Sequence, residues 1–217
     1  MDTRSYPKTK LLVSLISLLL IVAPLHALDE GPTTSAPGYR PENENAAAFL
    51  DSLDSAMIAV FPTLVRRERR TAHSYASQQL AVSMLNDSGL TNAKLANKRV
   101  DLGRLHYDSQ WNLFQYGLST VRQNLAGYKT DADYLMVMEI LVPAGQDVFG
   151  VECYIIDREG HDMFSFLLNS HHQIFVDANL HATDSSEEAR EDMLKAATGM
   201  AIAALQRQVE EAGSVDP

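Results

Sequence analysis

Apolar residues at helical spacing mark the clearest element of the chain, a helix over residues 109–127. Its apolar side chains are three and four residues apart, so they form one narrow stripe that must pack on a flat surface. Asp108 or Ser109 can cap the start of this helix, and Gly127 can end it. The stripe consists of Trp111, Phe114, Leu118, Val121 and Leu125.

Three further stretches have helical spacing. A short helix is predicted at residues 46–53, and a second at residues 75–85. A long helix over residues 186–211 closes the chain, and Ser185 with Glu188 is typical of a capping box at its start. Small residues along this last helix allow it to approach a sheet closely.

Continuous apolar runs predict the strands. Residues 56–62 form a short run that ends in a proline, which is typical of a strand buried on both faces. Residues 132–142 form a stronger strand, and the partly polar residues 93–102 form a weaker one at the edge of the sheet. A hairpin is predicted from residues 148–156 and 163–176, because the connection between them contains glycine.

This order of elements predicts the α/β class. We expect a two-layer sandwich of a mixed sheet with packed helices, in a single domain over residues 46–211. Residues 28–45 contain proline, glycine and few apolar side chains, which predicts a flexible leader. Residues 212–217 are predicted to form a disordered tail.

The amino-terminal residues are typical of a secretory signal peptide. Three cations precede an apolar stretch at residues 11–23, which would span only about 20 Å as a helix and is too short to cross a bilayer. We expect cleavage after Ala27, with an uncleaved anchor as the alternative. No cysteine lies close behind the end of the stretch, so the chain is not expected to be a lipoprotein. The predicted location is the bacterial periplasm or exterior.

The charge composition limits the kinds of partner that the chain can bind. The chain has 217 residues with 18 Lys and Arg against 28 Asp and Glu, so its formal net charge is −10. An acidic surface repels a phosphate backbone, and we expect no nucleic-acid partner. The proportions of apolar and charged residues are those of an ordinary globular protein.

Three segments resemble a known group of envelope proteins. IAVFPT, SQQLAVSMLNDSGL and TDADYLMVMEI, taken in order, resemble the amino-terminal domain of TolB and CsgG-like envelope lipoproteins. The resemblance covers about residues 56–210 and implies an α/β sandwich used for assembly in the cell envelope. The chain departs from the pattern by lacking a lipid-bearing cysteine, and by carrying Glu139 where a glycine often stands.

Two sets of residues are candidates for chemistry. Cys153 is the only cysteine, and its strand position among alternating apolar residues predicts a buried, inert thiol rather than a nucleophile. His171, His172 and His181 suggest a metal site with nearby aspartates. Adjacent residues of a strand point to opposite faces, so we favour ordinary polar side chains and predict no metal and no cofactor.

Two surface segments are predicted interaction sites. A polar run inside an apolar frame needs hydrogen-bond partners or solvent, and we assign it as a contact surface. A cluster of arginines is interpreted as a solvated loop after the first strand, with contact to an anionic envelope surface as the sharper hypothesis. The first segment comprises Asn169, Ser170, His171, His172 and Gln173, and the second comprises Arg66, Arg67, Arg69 and Arg70.

The GxSxG motif of hydrolases and the GxxxxGK(S/T) and GxGxxG motifs of nucleotide-binding proteins do not occur in the sequence. We therefore expect an exported, non-catalytic interaction or assembly module of the cell envelope, whose partner is an envelope protein or a second copy. The alternative is a small periplasmic ligand- or metal-binding protein, and a hydrolase that uses scattered carboxylates is a third hypothesis. An edge strand or residues 169–173 are the predicted contact surface.

Overall fold

A seven-stranded mixed sheet carries the fold, and five helices pack against it in the described residues. The structure is a computed structural model that describes residues 44–67, 70–103, 109–142 and 147–213. In chain order the elements are α1 (Glu44–Ser52), β1 (Met57–Val60), β2 (Thr63–Arg67), β3 (Arg70–Ser74), α2 (Tyr75–Asp87), β4 (Asn92–Leu95), α3 (Gln110–Leu125), β5 (Tyr134–Leu141), β6 (Gly150–Asp157), β7 (Phe166–Asn169), α4 (Gln173–Ala178) and α5 (Glu187–Gly213).

Strand β5 is the centre of the sheet. It pairs with β6 antiparallel along its whole length, and β7 continues the sheet beyond β6. On its other side β5 pairs in parallel first with β1 and then with β2. Beyond these two strands lie β4, parallel to β1, and β3, antiparallel to β2.

Strands β1 and β2 are two parts of one interrupted strand. Val60 pairs with Met136 and Leu64 pairs with Glu139, so four steps along this edge match three steps along β5. Pro62 lies at the break, where its missing N–H cannot contribute to a ladder. The interruption therefore leaves β1 to pair with β4 and β2 to pair with β3.

Both faces of the sheet are covered by apolar side chains. On one face, Phe49 of α1, Leu85 of α2 and Leu205 of α5 belong to one cluster. On the other face, Phe114 and Val121 of α3 belong to a second cluster. The α/β class with helices packed on a mixed sheet in a single domain is confirmed, and α3 adds a third layer to the predicted two.

Most predicted elements are present, with shifted ends. The helix predicted at residues 109–127 is α3, with Ser109 as its N-cap, and the strand predicted at residues 56–62 is β1. The weak edge strand is β4, which is shorter than residues 93–102. Ser186, rather than Ser185, caps α5, because its Oγ accepts the N–H of Ala189 at 3.1 Å.

Two predictions about strands are wrong. Residues 163–176 are not one strand, because β7 covers only Phe166–Asn169 and α4 follows it after a turn. The segment after β1 is not a solvated loop, because it forms β2 and β3. The charged residues made this segment look like a loop. Of its two strands, β2 lies next to the central strand β5, and β3 lies at the edge of the sheet.

None of the helices in the described ranges combines the length and the apolar character needed to cross a membrane. The predicted signal peptide, residues 1–27, lies outside the described residues, as do residues 28–43 of the predicted leader and residues 214–217 of the predicted tail.

Candidate functional site

Strand β3 is an exposed edge of the sheet. Within the described residues it pairs only with β2, and Arg70, Thr71 and Ala72 are exposed to solvent. On the neighbouring edge strand β4, the side chain of Asn86 binds the backbone of Ala93. Its amide oxygen accepts the N–H of Ala93 at 2.8 Å, and its amide nitrogen donates to the Ala93 carbonyl at 3.0 Å. Of these two strands, β3 is therefore the one whose outer backbone is open.

The backbone groups of Thr71 point away from the sheet. Val142 N–H donates to the carbonyl of Arg66 at 2.8 Å, so the backbone polar groups of Arg66 face β5. Thr71 is opposite Arg66 in the antiparallel ladder, and the pair is therefore one that exchanges no hydrogen bonds. The N–H and carbonyl of Thr71 are left on the outer side of β3, where they can pair with another strand.

Arginines border this open backbone at both ends. Arg67 and Arg70 are exposed and opposite each other at the end of the β2 and β3 pair. At the other end, Arg99 Nε donates to the hydroxyl of Tyr75 at 2.8 Å, and its guanidinium lies over the Tyr75 ring at 5.7 Å. We call β3 with Arg67, Arg70 and Arg99 the cationic edge.

The segment that carries Arg99 is tied to β3. His73 Nε2 lies 3.0 Å from the carbonyl of Val100, and Val100 is buried in the apolar cluster beneath α3. None of the three arginines of the cationic edge forms an ion pair with a carboxylate in the described part of the chain. The edge thus presents fixed positive charge to solvent.

A buried polar cluster lies directly behind the cationic edge. Arg66 of β2 points inward, where its Nε donates to Glu139 Oε1 at 2.6 Å and its Nη1 donates to the carbonyl of Gly103 at 3.1 Å. Only about a tenth of the Arg66 side chain is exposed, and Glu139 is fully buried. This ion pair links β2 to the centre of the sheet.

A second carboxyl group faces the first. Glu152 of β6 is directly opposite Glu139 in the ladder and is also fully buried. The hydroxyl of Tyr154 donates to Glu152 Oε2, and the Tyr154 ring stacks on Phe114 of α3 at 5.3 Å between centroids. Gly117 of α3 leaves the space that the Tyr154 hydroxyl occupies. The cluster therefore fills the interface between α3 and the sheet.

Burial and mutual repulsion both favour the protonated form of this carboxyl pair. Burial raises the pKa of Glu152 well above its usual value, and the charge of Glu139 raises it further. Burial also raises the pKa of Glu139, although Arg66 beside it opposes that rise. Glu139 Oε2 and Glu152 Oε1 have no hydrogen-bond donor while both groups are ionised. A single proton on the pair would leave one carboxylate, whose charge Arg66 balances.

The predicted polar run is a turn rather than a stretch of strand. Asn169 ends β7, and its Nδ2 donates to Gln110 Oε1 at 2.8 Å while its Oδ1 accepts the N–H of His171 at 3.0 Å. His172 is the residue before α4, and burial lowers its pKa. Ser170 and His171 are exposed, and Gln173 begins α4.

The two predicted surface segments are not brought together. The polar run follows β7, the arginines lie on β2 and β3, and β6 and β5 stand between them. At about 4.8 Å per strand, β7 and β3 are roughly 19 Å apart. They are therefore separate surfaces on opposite edges of the sheet.

The arginine cluster divides into an inner and an outer part. The prediction that Arg66 belongs to a surface cluster is wrong, because it is buried against Glu139. Arg67 and Arg70 are exposed, and their contact with an anionic partner stays a prediction. Arg69 and the neighbouring Glu68 lie outside the described residues. Strand alternation sends successive arginines to opposite faces, and the charge run alone did not show which face is buried.

Cys153 lies on β6 and is fully buried on the face opposite Glu152. Burial raises the pKa of its thiol, which keeps it protonated. The position confirms the prediction of a buried thiol among apolar residues.

The described ranges contain no group of three or more His, Cys, Asp or Glu side chains that could hold a metal ion. His171 and His172 lie in the turn before α4, and His181 forms an isolated bridge with Asp147.

Sequence reasoning missed the polar cluster as a unit. Its signal in the sequence is one glutamate within each of two apolar strands, YLMVMEIL and GVECYIID. Glu139 was noted only for standing where a glycine often stands. The two carboxylates meet because of the register between β5 and β6, which a local sequence pattern does not show.

The fold and the site define a single α/β domain with an open cationic edge and a sealed polar cluster behind it. No protein-family model matches the chain, and no curated protein matches it. Among solved structures the chain is similar to the PelC dodecamer from Paraburkholderia phytofirmans, with 16% identity over 52% of this chain and 69% of that chain and a TM-score of 0.29.

Two further solved structures are similar. The C-terminal domain of LpoB from Salmonella enterica has 7% identity, covers 57% of this chain and 93% of that chain, and has a TM-score of 0.32. Lipoprotein GNA1162 from Neisseria meningitidis has 13% identity, covers 74% of this chain and 99% of that chain, and has a TM-score of 0.29. These likenesses do not say what the chain binds, and the resemblance to TolB and CsgG-like proteins stays a prediction.

Proposed function

We propose that the chain is an exported, non-catalytic interaction module of the bacterial cell envelope. It recruits a partner protein by adding one strand of that partner to the open edge of β3. The observation that carries this proposal is the outward N–H and carbonyl of Thr71 on an exposed strand. An unpaired strand edge is a template for another chain, and main-chain hydrogen bonds supply much of the affinity in such complexes.

The positions of the reactive side chains support a role without catalysis. Cys153 is buried in an apolar cluster, and the Glu139 and Glu152 carboxyl groups are sealed beneath α3. A nucleophile or a general base must reach its substrate, and these groups have no solvent contact. The proposed location in the envelope rests on the predicted signal peptide at residues 1–27.

Site-specific photo-crosslinking in intact cells tests the proposal. A photoreactive amino acid is placed at the exposed Ala72 of β3, and a control is placed at Tyr116, which is 56% exposed on α3. We expect a crosslinked product at position 72 and none at position 116. Equal products at both positions would indicate random contact and would contradict the proposal.

A second pair of variants tests strand addition itself. Thr71→Pro removes the outward N–H without removing a hydrogen bond to β2, because Thr71 makes none there. Thr71→Val keeps the N–H and the branched shape. With the photoreactive group at position 72, the product should disappear in the proline variant and persist in the valine variant. A product that survives Thr71→Pro would show that recruitment does not use the backbone of β3.

A further inference from the structure

The cationic edge differs in charge from the chain as a whole. The chain has a formal net charge of −10, yet Arg67, Arg70 and Arg99 are exposed and make no ion pair with the described carboxylates. A positive patch on an acidic protein attracts anionic partners locally and disfavours cationic ones. The positive charge of the cationic edge therefore favours acidic strands among those that could pair with β3.

The arginines stand at the two ends of the open backbone. Arg70 begins β3, and Arg99 is held at the other end by its hydrogen bond and ring contact with Tyr75, the residue after β3. Strand β3 has five residues, so about 13 Å separates its first and last Cα atoms. The geometry matches a ligand that carries negative charge at both ends of an extended segment of about this length.

We infer that the cationic edge binds an extended, acidic polypeptide segment, with carboxylates about four to five residues apart. This inference rests on the proposed function and names the kind of partner. The segment pairs with the outward backbone groups of β3, and its carboxylates accept hydrogen bonds from Arg70 and Arg99. Guanidinium groups suit this role because their planar donors match a carboxylate in a two-point contact.

A polypeptide fits the edge better than an anionic membrane does. A lipid headgroup offers charge but no ladder of N–H and carbonyl groups to pair with β3. The remaining surface of the chain carries an excess of carboxylates, which an anionic membrane repels. Only an extended polypeptide can contact both flanking arginines and also pair with the open backbone between them.

Binding of a synthetic peptide to the purified chain tests the inference. The probe is a fluorescent peptide of sequence Glu-Glu-Val-Thr-Val-Glu-Glu, and the control peptide has glutamine at every glutamate. We expect the acidic peptide to bind at least about tenfold more tightly than the neutral one, with affinity that falls as salt is raised. Equal binding of the two peptides would overturn the inference.

Charge-reversal variants locate the binding. Arg70→Glu and Arg99→Glu should each weaken binding of the acidic peptide by about tenfold, because an attraction becomes a repulsion. Arg207→Glu, which makes the same change at an exposed position of α5, should leave the affinity unchanged. Equal effects of all three substitutions would indicate a response to net charge and would contradict the assignment to the edge.

Three further outcomes separate the alternatives. Binding to vesicles of anionic phospholipid that Arg70→Glu abolishes, without binding of the acidic peptide, would replace the polypeptide with a lipid surface. Loss of peptide binding while the crosslink at position 72 persists would refute the acidic partner and leave the proposed function intact. Loss of the crosslink and of peptide binding would refute both.

Discussion

Glu139 and Glu152 face each other directly across β5 and β6, and both side chains are fully buried. Arg66 is the cation that offsets their charge, and of the two carboxyl groups it forms an ion pair with Glu139. Two adjacent carboxylates with one cation are most stable with a single proton between them. Burial and the charge of Glu139 raise the pKa of Glu152, so we expect the sheet to take up a proton when it folds.

This proton makes stability depend on pH. The pKa of Glu152 is raised in the folded state, so its contribution to the free energy of unfolding is complete below about pH 4.5 and is lost as pH rises through the folded value. In Glu152→Gln the amide replaces the protonated acid. We expect unfolding by urea between pH 5.5 and 7.5 to show a smaller decline in stability than in the parent chain, with a difference of at most about 1.4 kcal/mol per pH unit.

The matched control for this experiment is Glu159→Gln. Glu159 is exposed in the connection after β6, so the same substitution should leave the pH dependence as it is in the parent chain. An unchanged slope in Glu152→Gln would show that Glu152 is ionised in the folded protein.

Removal of Arg66 tests the ion pair that ties β2 to the centre of the sheet. Arg66→Met leaves Glu139 without its cation, and loss of one partner of a buried pair costs about 3 to 5 kcal/mol. The loss should be smaller at pH 5 than at pH 8, because protonation of both carboxyl groups relieves the unpaired charge.

Arg67→Met is the control for this change, since Arg67 is the next residue and is exposed. Its effect on the free energy of unfolding should stay within about 0.5 kcal/mol. Equal losses in urea denaturation of the two variants would mean that Arg66 contributes through its chain position rather than through Glu139.

The space at Gly117 can be tested by adding a single methyl group. A Cβ at this position would lie 2.8 Å from Cζ of Tyr154 and closer still to its hydroxyl oxygen. Gly117→Ala should therefore lower the stability by about 1 to 3 kcal/mol, despite the better helix propensity of alanine. A thermal unfolding scan measures the change as a lower Tm.

Gly199→Ala is the comparison, because Gly199 also lies within a helix, α5. Its Cβ would meet Met84 Sδ at 3.8 Å, which is an ordinary contact. This variant should gain up to about 1 kcal/mol and raise the Tm. A higher Tm in Gly117→Ala as well would show that α3 does not press on Tyr154.

The thiol of Cys153 should be silent in the native protein. It is fully buried on β6, and burial raises its pKa, so both access and thiolate content are low. Ellman's reagent should label the urea-unfolded chain within minutes and the native chain only at the rate of opening of the sheet. Labelling of the native chain as fast as the unfolded chain would place Cys153 at the surface.

The sequence was enough to predict the elements whose side chains alternate or repeat cleanly. Residues 56–62 and 132–142 are apolar runs, and they became β1 and β5 in the middle of the sheet. The stripe of α3 was visible because four of its five members are buried in one cluster. These elements can be predicted because the spacing of apolar residues along the sequence shows which face of a helix or strand is buried.

The remaining elements depended on partners far along the chain. Arg66 looked solvated among other arginines, because the carboxylate that pairs with it lies 73 residues away. Residues 163–176 looked like one strand because apolar residues lie on both sides of the polar run. Ile174, Phe175 and Val176 instead belong to α4, where only Phe175 is buried.

The break at Pro62 limits how far the sheet can grow. The strand is interrupted there, so β4 pairs with its first part, β1, and β3 pairs with its second part, β2. Strand β3 therefore offers only five residues to an added strand. A long, straight border would let copies of the chain stack without end into fibres, whereas a short border admits one brief segment. Under the proposed function, the break at Pro62 therefore favours the recruitment of one short segment over open-ended stacking of copies.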